Sequence, residues 1–292
     1  MSAPFDHRVL DRHRFALIDP IAHPVLDRPV GVVGVAIVPR GQRRLAHLFP
    51  ELVDLATLGA DARDACLESV LGHVPGEGSF PLLGVLLESD SEPEVVAGHL
   101  SRHITAHADD AEIYLRPQDP RVLVHLVEIF SPSQVNQFLG PVRRATAVFG
   151  RECISFDQSD NPPAVSRSKL RLDAEQGALL DGLGIINRVL QREASEGLST
   201  RIDRGRVARQ ALLRARNIHG LEATQDLQRF VEHAFLIHPE FDAHPAMAKR
   251  ITLARCDTDI DIDFPYLAAT SDLDAAARTS IRDELLQGSR SV

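Results

Sequence analysis

Apolar and polar residues alternate from Glu112 to Arg116, with Ile113 and Leu115 on one side and Glu112, Tyr114 and Arg116 on the other. A period of two predicts a half-buried strand. Helical spacing follows, with Leu123, Leu126, Val127 and Phe130 on one face. Asp119 stands where an N-cap belongs and Pro120 at the first helical position; the carboxylate accepts a free backbone N–H, and proline lacks only a donor that would be orphaned there. Ser131-Pro132-Ser133-Gln134 predicts a second helix start with a capping box, and Gly140-Pro141 its end.

The same reading carries to both sides of this stretch. Phe15–Ile18 predicts a strand closed by Asp19-Pro20, and Val30–Val38, nearly continuous in apolar residues, a strand buried on both faces. Gly31 and Gly34 lack the third glycine and downstream acid of a dinucleotide fingerprint. Helices are predicted over 43–58 and 61–73, a loop at 75–79, and a buried strand over Phe80–Leu87. Ser91 with Glu94 reads as the capping box of a helix whose buried stripe is Val96, Leu100 and Ile104. Two more strands are expected at Ala145–Phe149 and Cys153–Phe156. Residues 1–156 therefore read as a mixed α/β lobe, and the polar 157–169, with Pro162-Pro163, as a linker. Residues 170–292 read as a mostly helical lobe. Its stripes are Leu179, Leu183, Ile186 and Leu190; Val207, Ala211, Ala215 and Ile218; and Leu227, Phe230, Val231, Ala234 and Phe235, with shorter helices at 244–255 and 272–286. The expected fold class is α+β.

Composition narrows the function classes. At 292 residues with 44% hydrophobic and 25% charged content, the chain is globular in character. A net charge of -9 and the absence of tryptophan argue against nucleic acid as a partner. Cys66, Cys153 and Cys256 are far apart and without CxxC spacing, as thiols of a reducing compartment are. No signal peptide and no membrane span are expected, so the predicted location is cytoplasmic, with no membrane partner.

Four groups of residues raise chemical possibilities. His99, His103 and His107 share the i, i+4, i+8 spacing of one helix face, with Asp109 and Asp110 beyond. They suggest either a boundary face or, in a metal-dependent hydrolase, zinc ligands, though the glutamate of HExxH is missing and three ligands along one straight helix reach too far for one tetrahedral site. Asp257, Asp259, Asp261 and Asp263 alternate with other residues in an acidic edge strand or arm; the glycine and glutamate of a calcium loop are absent. Arg201, Arg204, Arg206, Arg209, Arg214 and Arg216 crowd one helix against the single acid Asp203, and Arg206, Arg209 and Arg216 are expected to project outward, as a solvated face or a docking surface. Arg121 puts a cation in the first turn of a helix, where the macrodipole disfavours it. It is read either as a structural salt bridge, to Asp119 or to another carboxylate of the same lobe, or as a site for a partner's acidic group. No nucleophile elbow, phosphate loop, paired catalytic carboxylates or cofactor motif is found.

The run from His99 to Val142 resembles the core of the type VI secretion effector-chaperone family, bacterial adaptors also called Tap or Tec. The residues that carry the likeness are His99, His103, Arg116, Asp119-Pro120-Arg121 and Gly140-Pro141. Gln118 replaces the usual aromatic before Asp-Pro-Arg, and the tryptophan expected after Gly-Pro is missing. The resemblance covers the first half well and the second only in general character. It implies an adaptor-chaperone and not an enzyme, with a cognate secreted effector and the VgrG spike protein as partners and no cofactor or metal. The candidate partner-binding residues are Arg116, Asp119, Arg121, Arg206, Arg209 and Arg216.

Overall fold

Four apolar residues, Phe15–Ile18, are buried on both faces in the computed structural model, and a seven-stranded sheet is built outward from them. The structure describes residues 2–73, 80–109, 111–159, 168–192, 198–256 and 263–288. The fold class is α+β. The chain divides into two units, Met1–Leu180 with Ala194–Thr200 and Asp181–Glu193 with Arg201–Val292.

The first unit runs β1 (Ala3–Pro4), α1 (His7–Arg12), β2 (Phe15–Ile18), β3 (Val35–Ala36), β4 (Glu51–Asp54), α2 (Ala60–Leu71), β5 (Val85–Glu88) and α3 (Pro93–His103). There follow β6 (Thr105–Ala108), β7 (Ala111–Tyr114), α4 (Pro120–Ile129), α5 (Pro132–Leu139), β8 (Arg144–Phe149), β9 (Glu152–Asp157), β10 (Leu170–Leu172) and α6 (Ala174–Asp181). The main sheet has the order β1-β9-β8-β5-β2-β4-β3 and is antiparallel throughout. A second sheet sets β6 between β7, antiparallel, and β10, parallel.

Successive side chains of a strand point to opposite faces. Ala16, Ile18, Val53, Leu86 and Val148 pack in one cluster with Cys66, Leu67 and Val70 of α2. Phe15, Leu17, Leu52, Val85 and Leu87 alternate with them and are buried too, on the side served by α3, next to β4, and α4, next to β8. Covering both faces explains why these strands are almost wholly apolar.

Several sequence expectations change. Val30–Val38 does not form a buried strand: only Val35–Ala36 pairs, at the edge of the sheet, and Val30, Val33 and Val35 are exposed. The helix expected over 43–58 is a 3₁₀ turn (Arg43–Leu48), then β4, then a second 3₁₀ turn (Leu55–Thr57). Pro50 supplies no backbone donor to continue a helix. In Phe80–Leu87 the residues are buried as expected, yet the strand begins only at Val85. The cap of α3 is Glu92 and not Ser91, because Pro93 takes the first helical position. Helix α3 ends at His103, so His107 lies on β6 and not on the same helix face. The loop expected at 75–79, most of the linker and the aspartates 257–261 fall outside the described residues.

The second unit is helical, with α7 (Leu183–Arg192), α8 (Leu198–Leu213, counted here from Arg201), α9 (Thr224–Leu236), α10 (Pro245–Cys256), α11 (Pro265–Ala269) and α12 (Ala275–Gly288). Its centre is aromatic: Phe230 lies 4.7 Å from Phe241 and 5.6 Å from Tyr266, ring to ring. The Tyr266 hydroxyl meets His233 Nδ1 at 2.7 Å, and burial drives the His233 pKa down to about 3.

Two ends of the family-like stretch meet in the first unit. His99 of α3 is buried and its Nε2 donates to Phe138 O at 3.0 Å. Its ring lies against Gly140, where a Cβ would come within 2.1 Å of His99 Cε1. Gly140 also holds φ 56°, ψ -107°, a conformation closed to residues with a Cβ. Gly140→Ala should therefore cost more than about 2 kcal/mol in urea unfolding. Gly98→Ala, inside α3 with its nearest neighbour 3.9 Å away, should instead stabilise by about 0.4–1 kcal/mol. Equal stability of the two variants would contradict this packing.

Candidate partner-binding site

Leu115 ends the β7 segment buried, its N–H on Ile104 O at 2.9 Å. The next residue, Arg116, has φ 50°, a left-handed conformation that costs an arginine about 1 kcal/mol. The turn it makes is closed by the Asp119 N–H on Arg116 O at 3.1 Å. Four residues after it, Pro117 to Pro120, are buried, and α4 starts from them. Gly84 makes room for that start, since a Cβ there would lie 2.9 Å from Pro120 Cδ.

Two carboxylates are buried at this junction. Asp119, 2% exposed, caps α4 by accepting the Arg121 N–H at 2.9 Å. It also accepts both arms of the same residue's guanidinium, Nε at 2.9 Å and Nη2 at 2.7 Å. This bidentate bond explains how a cation is tolerated in the first turn of a helix. The guanidinium lies 5.2 Å over the Phe80 ring. Phe80 is held in turn by His23, whose Nε2 meets Phe80 O at 2.9 Å. Asp19, 3% exposed, accepts Ile21 N–H at 2.9 Å and Ala22 N–H at 3.3 Å with one oxygen. Its other oxygen takes Gln118 Nε2 at 3.1 Å and stands 3.7 Å from Arg116 Nη2. The Tyr114 hydroxyl donates to Gln118 Oε1 at 3.3 Å, and burial raises the Tyr114 pKa to about 12.

The arrangement sorts the candidate residues. Asp119 is a buried cap, and Arg121 is the salt bridge to Asp119 that one reading of the sequence expected. Arg116 is different: 53% of its side chain is exposed, and its one ion pair among the described residues is long, 3.7 Å. Its backbone is held in a strained conformation while its guanidinium faces outward, so it can offer paired donors to a carboxylate.

The arginines of α8 lie in the second unit and answer to acids of their own chain. Arg206 meets Asp203 at 3.3 Å, Arg214 meets Asp242 at 3.1 Å, and Arg216 meets Asp181 at 2.7 Å. Arg204 lies 5.0 Å over Phe235. Arg209 is buried, 7% exposed, contrary to the expected outward projection. Of the expected stripe, Ala211 and Ala215 are buried, Val207 is partly buried and Ile218 is 62% exposed; Gly205, Ala208, Arg209 and Leu212 complete the buried face. A π turn at Arg214–Ile218 accounts for the lost phase at the helix end.

Sequence reasoning missed Asp19, Gln118 and Phe80. Asp19 read only as a break before Pro20, and Gln118 only as a departure from the family pattern. That departure was the available signal, because a buried amide demands partners on both its ends.

His99 and His103 stack with ring centroids 4.4 Å apart, both buried. Burial, then the neighbouring His103, lowers the His99 pKa to about 4. Among the described residues no three His, Cys, Asp or Glu side chains converge as a metal site would require. No helix among them is long and apolar enough to cross a membrane.

Residues 40–137 match the model of a protein family described as a domain of unknown function, DUF4123. No curated protein and no solved structure matches the chain.

Two outcomes follow from this geometry. Asp119→Ala should lower stability by about 2–3 kcal/mol, about 1 from the lost cap and the rest from a stranded, mostly buried guanidinium. Asp119→Asn, which keeps the cap acceptor and loses the charge, should fall between; wild-type stability in both would remove Asp119 from the structural role. The second outcome concerns pH. Between about 6.5 and about 4 the unfolded chain binds a proton at position 99 that the folded chain refuses, so stability falls as pH drops through that window and is level above it. His99→Gln should reduce the slope of stability against pH by up to about 1.4 kcal/mol per pH unit in urea titrations. An unchanged slope would contradict the burial of a neutral imidazole.

Proposed function

We propose that this chain is an adaptor-chaperone of type VI secretion, which holds a cognate toxic effector and loads it onto the VgrG spike. The observation that carries the reading is the constellation His99, His103, Arg116, Asp119-Pro120-Arg121 and Gly140-Pro141, most of it inside the matched segment 40–137. These residues belong to one packed assembly: His99 closes on Gly140, and Arg116 and Arg121 each stand on a buried carboxylate. In this reading the assembly serves as a rigid base for recognition, with Arg116 presented to an acidic group on the partner. The chain works in the cytoplasm and catalyses no reaction, since an adaptor must mask its client and release it intact. A broad, moderately polar interface suits that task better than a deep pocket.

Co-expression with an effector from the same bacterial host should raise that effector's soluble yield, and the two should co-elute. The co-eluted complex should carry well under one equivalent of zinc, iron or manganese. An effector equally soluble and equally delivered without this chain contradicts the reading. Stoichiometric metal lost in His99→Ala and His103→Ala would point to a hydrolase instead.

A further inference from the structure

Most of the large apolar side chains that stand exposed among the described residues fall between Ile21 and Leu48. Leu26, Val30, Val33 and Val35 are 97%, 94%, 71% and 63% exposed. Apolar surface gathered in this way marks an interaction site more often than chance. The stretch includes β3, the last strand of the main sheet, which has β4 on one flank and no strand on the other among the described residues. Sheet edges are usually blunted by short strands, charge, proline or a bulge; β3 is short, two residues, but carries neither charge nor proline. Here Val35 in the strand and Val33 just before it both stand exposed. Gly34 between them approaches β4 so closely that a Cβ would lie 2.7 Å from Glu51 Cβ.

Charge is equally one-sided. The connection from β3 to β4 carries Arg40, Arg43 and Arg44, all exposed and, among the described residues, in no ion pair. Arg28 is already engaged by Glu51 at 2.6 Å, and Asp27 is the one acid between Ile21 and Leu48. Three guanidiniums without an ion pair among the described residues, in the connection that leaves an apolar strand edge and in a chain of net charge -9, can take carboxylates from outside. A second copy paired edge to edge would cover the valines and leave the arginines without an acid. Nucleic acid would answer the arginines and leave the valines in water.

We propose that the β3 edge receives an extended acidic segment of a partner protein. The segment adds as a strand, sets alternate apolar side chains over Val33 and Val35, and brings carboxylates to Arg40, Arg43 and Arg44. The adaptor reading supplies only the expectation that the partner is a protein; the edge and its charges supply the chemistry.

The test is fluorescence anisotropy with a labelled peptide of about ten residues alternating valine and glutamate, against a control alternating valine and lysine. The wild-type chain should bind the glutamate peptide, more weakly at high salt, and not the lysine peptide. R43E/R44E should weaken glutamate-peptide binding by about 10-fold or more and admit the lysine peptide. V35K, a charge on the edge itself, should abolish binding of either. Circular dichroism and melting should match wild type in both variants, since the altered side chains are exposed. Equal binding of both peptides, no binding, or indifference to V35K overturns the proposal. So does a dimer in sedimentation velocity that V35K dissolves, which would give the edge to a second copy. None of these arms contains an effector or spike protein, so a negative result leaves the co-expression outcome to decide the adaptor reading by itself.

Discussion

A carboxylate taken out of water must be paired on nearly every lone pair, and Asp119 sets that requirement at the centre of the first unit. It takes the first free N–H of α4 and both arms of Arg121. With Pro120 lodged against Gly84, this fixes where the helix begins and how it leaves the sheet. Asp19 is a second buried acid at the same turn, with Gln118 and Arg116 as its partners. The short sequence Arg-Pro-Gln-Asp-Pro-Arg therefore has one physical logic. Buried acids line a turn that Arg116 completes in a left-handed conformation, and 53% of the Arg116 side chain is exposed.

Where local chemistry decides structure, the sequence was legible. The Asp119-Pro120 start, the Ser131/Gln134 capping box and the Gly140 stop depend on residues within four positions of one another, and all three are present. Where tertiary contacts decide, it was not. Leu45, Leu48, Leu52 and Leu55 fall at helical spacing, yet Leu52 lies in a strand because β2 offers it a ladder and Pro50 interrupts the helix. Val30–Val38 has the composition of a buried strand, but nothing in a string of apolar residues says that they stop at an edge. His107 and Arg209 failed for a related reason. A helix wheel holds only while the helix continues, and α3 ends at His103; Arg209 lies inside α8 next to the buried Ala208, on a buried face wider than the expected stripe.

The candidate site divides along the same line. Asp119 and Arg121 were found because they bond within two residues of each other. Asp19 was missed because its partner Gln118 lies 99 positions away in sequence, and no periodicity links them. The arginines of α8 looked unanswered because Asp181 and Asp242 come from other elements. Arg40, Arg43 and Arg44, in the connection that follows the apolar edge, are among the cations without an ion pair among the described residues.

The central claim is that Arg116, half-exposed beside the buried Asp19, is part of a surface that recognises protein partners. The most direct measurement is affinity purification of the tagged chain from its native host, wild type beside Arg116→Glu, with quantitative mass spectrometry of what co-elutes. The account predicts an effector and a spike protein at comparable molar amounts with wild type, and their loss from the variant once circular dichroism has shown it folded. Their absence from the wild-type eluate, or equal recovery with Arg116→Glu, would contradict it.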